Sequence, residues 1–67
     1  MQVKFNEEII ILNQESTLLQ LLVNKQLGDK KGIAVAVNNE VISRSQWHEY
    51  ILQPNENIIV FIAAQGG

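Results

Sequence analysis

Cysteine is absent from this 67-residue chain, which excludes a disulfide scaffold, a thiolate zinc site and a catalytic thiol. A small domain without disulfide staples suits a reducing compartment. Histidine occurs once, at His48, and no second ligand or nucleophile stands at a motif-like spacing from it. A lone histidine in a polar segment reads as a solvated side chain, and Glu7, Glu8 and Glu49 read as solvated surface. No glycine-rich phosphate loop, metal cluster or catalytic pair is present. Basic residues are also scarce: five Lys and Arg stand against seven Asp and Glu, for a net charge of −2. Lys30-Lys31 is the only basic pair. A nucleic-acid binder shows a basic face or stripe, so neither nucleic acid nor an anionic membrane is expected as a partner. The longest apolar run, residues 58–64, is too short to span a bilayer. The first eight residues alternate instead of forming the apolar core of a signal peptide. The expected location is the cytoplasm, or a plastid stroma.

What the chain does have is a dense supply of core residues. Hydrophobic side chains make up 46% of it, mostly Ile, Leu and Val. A domain this small buries only about 60% of the surface its unfolded chain exposes, so it needs such a core. Residues 2–5 alternate, placing Val3 and Phe5 on one face of a strand. Asn6-Glu7 is a turn candidate, because Asn tolerates positive φ. Residues 8–12 are rich in β-branched side chains and complete a hairpin. Thr17 with Gln20 three residues on forms a capping box, which opens a helix over residues 17–26. Leu18, Leu19, Leu22 and Val23 form its apolar stripe, and Gly28 is its expected C-cap. Residues 33–37 form a third strand, apolar on both faces. Such a strand sits centrally or reserves one face for a partner. Asn38-Asn39 turns the chain into a short fourth strand, residues 40–42.

Residues 43–53 are the least regular stretch and hold Arg44, Trp47, His48 and Tyr50. Trp47 is expected to close the core where the sheet is short, with its indole N–H finding a partner; the competing role is a contact aromatic. Arg44 either reaches a partner's acidic group or caps local carbonyls. Pro54 opens a turn, and residues 58–63 form the last and most hydrophobic strand. A helix on one face of a mixed sheet of four to five strands makes a two-layer α+β domain. Its bounds are residues 1–64, with residues 65–67 as a flexible tail ending in Gly66-Gly67.

This order of elements resembles the β-grasp, or ubiquitin-like, fold, and within it the ThiS family of sulfur carriers. The resemblance covers the whole length. It rests on Gly66-Gly67 following an apolar strand, on Phe61 six residues before the end, and on residues 36–47. That last segment is similar to the family's strand, Asn turn and short strand, followed by Arg44 and Trp47 three apart. The family usually has proline where this chain has Ser43.

The resemblance implies a protein cosubstrate, not an enzyme. Without a cysteine, the chain cannot hold transferred sulfur as a thiol or persulfide of its own. A free α-carboxyl is an anion at neutral pH and a poor electrophile. ATP, used by a ThiF-like adenylyltransferase with no cofactor bound to the carrier, turns the Gly67 carboxylate into an acyl-adenylate. A persulfide donor then leaves a thiocarboxylate on Gly67. A ThiG-like thiazole synthase takes that sulfur into the thiazole ring of thiamine. Glycine lacks a Cβ, so Gly66 and Gly67 thread a narrow cleft and leave the carbonyl unhindered.

The last strand is apolar on both faces, and one helix covers only one of them. By analogy with ubiquitin-like folds, Ile58 and Val60 point inward, while Ile59 and Phe61 point out as a partner-docking patch. The competing expectation is that residues 43–53 fold over Ile59 and Phe61. Two rival functions share the same activation chemistry, a carrier for molybdopterin synthesis and a ubiquitin-like modifier of lysines. A plain binding module with an incidental Gly-Gly end is a third.

Overall fold

The computed structural model describes residues 1–62; the 64/65 boundary, Gly66 and Gly67 lie outside them. Two short hairpins, one helix and one final strand build the domain. β1 (Gln2–Phe5) and β2 (Glu8–Ile11) pair antiparallel across Asn6 and Glu7. β3 (Ile33–Val37) and β4 (Glu40–Ile42) do the same across Asn38 and Asn39. All four turn residues have positive φ: 46° and 71° in the first turn, 51° and 70° in the second. That is the type I′ geometry, whose twist matches the flanking strands. Asn at the first position of each turn accepts it at low cost.

Between the hairpins lies α1 (Leu18–Asn24). Its capping box is complete: Thr17 Oγ1 accepts from the Gln20 amide at 3.1 Å, and Gln20 Oε1 accepts from the Thr17 amide at 2.8 Å. The helix ends earlier than the sequence pattern implies, and not at Gly28. Gln26 takes the left-handed conformation, φ 64°. The Leu27 amide donates to the Leu22 carbonyl at 2.7 Å, and the Gln26 amide to Val23 at 2.9 Å. These are the two bonds of a Schellman motif. Gly28 serves close approach instead, since a Cβ there would lie 2.6 Å from Val23 Cγ2. The buried stripe also differs from the expected one. Leu18, Leu21 and Leu22 are buried, whereas Val23 is exposed. Leu27, carried back through the Schellman turn, packs on the core in its place.

The five strands form one sheet in the order β2-β1-β5-β3-β4. β5 (Asn57–Ile62) is the central strand. It runs parallel to β1 on one side and antiparallel to β3 on the other. α1 covers one face, so the architecture is the two-layer β-grasp arrangement. Val3, Phe5, Val35, Val37, Ile42 and Ile58 meet Leu18, Leu21 and Leu22 there, joined by Trp47 and Leu52.

Residues 43–53, including the 3₁₀ turn η1 (Arg44–Gln46), lie across the start of α1. The Leu18 amide donates to the Tyr50 carbonyl at 2.8 Å, and the Leu19 amide to Trp47 at 3.0 Å. With Thr17 capping Gln20, the first three helical N–H groups, which no helix satisfies internally, all have partners. Among the described residues, no helix is long and apolar enough to cross a membrane.

Candidate functional site

Strand register decides which residues share the face that α1 leaves open. In β5, Ile58 is buried and Val60 half-buried, while Ile59 and Phe61 are 38% and 43% exposed. The register sets Ile59 opposite Ala36, Phe61 opposite Ala34, and Ala36 opposite Val41. Side chains directly opposite lie on the same face of a sheet. The open face therefore carries Ile59, Phe61 and Val41 around two alanines, whose small side chains leave the larger groups accessible. Ile9 and Ile11, also exposed, extend the apolar surface on β2. They sit opposite Lys4 and Gln2, which form a polar strip between the two apolar groups. Residues 43–53 pack on the helix side and not over Ile59 and Phe61.

The sequence reading found Ile59 and Phe61 but missed Ile9, Ile11 and Val41. The signal for the isoleucines was Ile9-Ile10-Ile11 in β2, where Ile10 alone reaches the core.

The other singled-out side chains are structural or solvated. Trp47 is 2% exposed, and its Nε1 donates to the Ile42 carbonyl at 3.0 Å, as its core-closing role requires. Arg44 stacks on that ring, with Cζ 4.5 Å from the centroid. Its Nη2 donates to the Lys30 carbonyl at 2.6 Å, so it caps carbonyls of the 28–32 loop. His48, Glu49 and Glu7 are exposed. Glu8 is exposed too and pairs with Lys25 at 3.3 Å, a surface ion pair worth little. Among the described residues, no group of three or more His, Asp or Glu is placed to hold a metal ion.

A buried carboxylate that the sequence reading passed over fixes the entry into β5. Glu56 is 8% exposed. Its Oε1 accepts from the Gln53 amide at 2.7 Å, and its Oε2 accepts from the Tyr50 hydroxyl at 3.0 Å. Together they tie the Pro54-Asn55 turn to the segment that caps the helix. Burial pushes the Tyr50 phenol above its usual pKa of 10.0, aided by the hydrogen bond to Glu56 and by the Glu56 and Glu40 charges. A phenol whose folded pKa is raised contributes stability that is fully present below its unfolded pKa. That stability is lost as pH rises through the folded value. Tyr50 is the only tyrosine, so tyrosinate absorbance reports it alone. The expected midpoint lies above 10.0 in the native protein and falls in Glu56→Gln, which removes the charge. A native midpoint at or below that of the urea-unfolded chain would contradict this arrangement.

With the geometry in place, comparison with known proteins gives a consistent result. The sequence model of the ThiS family matches residues 1–67. The sulfur carrier protein ThiS of Escherichia coli strain K12 is 32% identical over 68 residues, spanning all of both chains. The crystal structure of a thiamine biosynthesis protein (ThiS) from Geobacter metallireducens superposes with a TM-score of 0.82, covering 100% of this chain and 99% of that one. At 16% identity, that likeness supports the fold. A full-length family match, a relative aligned end to end and a shared β-grasp architecture agree: the chain belongs to the ThiS family, the sulfur carriers of thiamine biosynthesis.

Proposed function

We propose that Gly67 is the group that carries the sulfur. An adenylating partner of the ThiF type binds ATP and converts the Gly67 carboxylate to an acyl-adenylate, with pyrophosphate leaving. A persulfide sulfur attacks the carbonyl and AMP departs. Reductive cleavage of the resulting acyl disulfide by a thiol leaves the thiocarboxylate. A ThiG-type synthase then takes the sulfur for the thiazole ring. The carrier is a protein cosubstrate throughout, and the partner supplies the catalytic groups and the nucleotide site. The observation that carries this reading is the family match extending through Gly66-Gly67 in a chain with no cysteine. The test is intact-mass measurement after incubation with the adenylating enzyme, ATP, a cysteine desulfurase and a thiol reductant. A shift equal to one oxygen replaced by sulfur is expected; an unchanged mass would defeat the proposal.

In this reading, the open apolar face is where the partner docks, with Ile59 and Phe61 at its centre and Val41 beside them. Exposed aromatic anchors of this kind concentrate binding energy. Phe61→Ala is expected to weaken binding to the adenylating enzyme by about 2 kcal/mol, roughly thirtyfold in Kd. The melting temperature should change little, because Phe61 is 43% exposed. Titration calorimetry that returned wild-type affinity for Phe61→Ala would remove Phe61 from the docking patch.

A further inference from the structure

Both type I′ turns do more than reverse the chain. Each begins with an asparagine, and each asparagine bonds twice to β5, from opposite sides of it. Asn38 donates its amide to the Asn57 carbonyl at 2.8 Å, and its Oδ1 accepts from the Asn57 amide at 2.9 Å. Asn6 donates its amide to the Ile58 carbonyl at 2.9 Å, and its Oδ1 accepts from the Val60 amide at 2.9 Å. Asn38 thus holds the start of β5, and Asn6 holds it further along.

The two contacts differ in what lies beyond them. The β1–β5 register ends at Phe5 opposite Ile58, because β1 turns away at Asn6. β5 runs on to Ile62, paired by β3 as far as Ile33. The Asn6 side chain replaces the backbone acceptor that a longer β1 would have supplied, and it extends the parallel ladder to Val60. We propose that Asn6 is the positioning residue for the tail-bearing end of β5, holding that end in register so that the chain beyond it enters a partner's cleft from a fixed direction. The functional half of this proposal rests on the reading that the partner acts at Gly67. An end already ordered before docking has less conformational freedom to lose on binding.

The positive φ of Asn6, 46°, makes a clean substitution available. Asn6→Gly keeps the turn conformation and removes the acceptor. Asn6→Asp keeps an acceptor oxygen at the same place. Asn38→Gly is the matched control at the other end of the strand. Melting curves first set a temperature at which all four proteins are folded. Amide exchange is then followed by NMR, and KM and kcat for the carrier are measured with the adenylating enzyme and ATP. In Asn6→Gly, exchange at Val60 should accelerate roughly fivefold, as for loss of one hydrogen bond of ordinary strength. KM should rise by a similar factor with kcat unchanged, the pattern of lost binding and not of lost chemistry. Asn6→Asp should restore both. Asn38→Gly should speed exchange at Asn57 and leave KM at the wild-type value. Unchanged exchange at Val60, unchanged KM in Asn6→Gly, or an equal rise in KM in Asn38→Gly each overturns the proposal. A wild-type protein that is not adenylated at all defeats the reading of Gly67 instead, and the exchange rates then decide alone whether Asn6 fixes the end of β5.

Discussion

Deletion of Gly67 is expected to abolish sulfur loading completely while the domain melts as the wild type does. The two halves of this result have separate physical causes. Among the described residues, every buried core side chain lies between Val3 and Ile58, and the deleted glycine carries no side chain, so the expected melting temperature is that of the wild type. In the proposed reading, the chemistry is tied to one carbonyl, that of Gly67. Each extended residue contributes about 3.3–3.6 Å of reach, and removing one draws the terminal carboxylate back by that distance. A displacement of only about 1 Å costs roughly a hundredfold in a positioned reaction, so a retreat of a whole residue takes the acceptor out of the partner's site. Intact-mass measurement after incubation with the adenylating enzyme, ATP, the persulfide donor and a thiol should show no sulfur on the shortened chain. Gly67→Ala separates reach from bulk, because it keeps the length and adds a Cβ. It is expected to load slowly, not at zero rate. Loading of the shortened chain at the wild-type rate would show that the terminal carboxylate of Gly67 is not the acceptor.

Trp47→Ala is expected to unfold most of the protein at 25 °C. Replacing a buried Trp by Ala costs about 3–5 kcal/mol through lost transfer energy and the cavity left behind. A single core in a chain this short rarely supplies more than about 3–5 kcal/mol in total. Trp47 also satisfies the Ile42 carbonyl through Nε1 and supports the Arg44 guanidinium on its ring. Its truncation therefore loosens β4 and the 28–32 loop together. Circular dichroism in a urea titration should show no native baseline. Trp47→Phe keeps much of the ring volume and loses the indole N–H. It should retain a cooperative transition, weakened by about 1–3 kcal/mol for the unpaired carbonyl and the smaller ring. A Trp47→Ala protein with a wild-type urea midpoint would mean that the indole contributes little to the core.

Much of this fold was legible because local chemistry and global architecture agree. Thr17 and Gln20 form the capping box their spacing implies. Asn6 and Asn38 open the turns that place both hairpins. The alternation of Val3, Lys4 and Phe5 states directly which face of β1 is buried. The less legible parts depend on what distant segments do. The helix terminates at a left-handed Gln26 because Leu27 is drawn back to the core, and no local preference of glutamine announces that. Leu21 shares a helical face with Leu18 and Leu22, and Leu27, drawn back by the turn, fills the place given to Val23. Glu56 reads as an ordinary turn carboxylate until Tyr50 and the Gln53 amide are brought to it. Of the open apolar face, Ile59 and Phe61 were readable because β5 is apolar on both sides. Val41 became part of it only through its pairing with Ala36, and Ile9 and Ile11 only through the register with β1. The asparagine contacts to β5 were hidden because they join positions far apart in the sequence.

The place of β5 in the sheet has a consequence for how the molecule comes into being. Among the described residues, the strand that joins the two hairpins is the last, and its parallel partner β1 is the first. Closing that pair brings together segments separated by nearly the whole sequence. The loop-closure entropy must be met before the contacts repay it, and such non-local pairing slows folding. On a ribosome, neither hairpin gains its central neighbour until β5 has emerged. Chains cut short before β5 lack the strand that joins the two hairpins in one sheet. The sheet is therefore completed late, when β5 takes its place between β1 and β3.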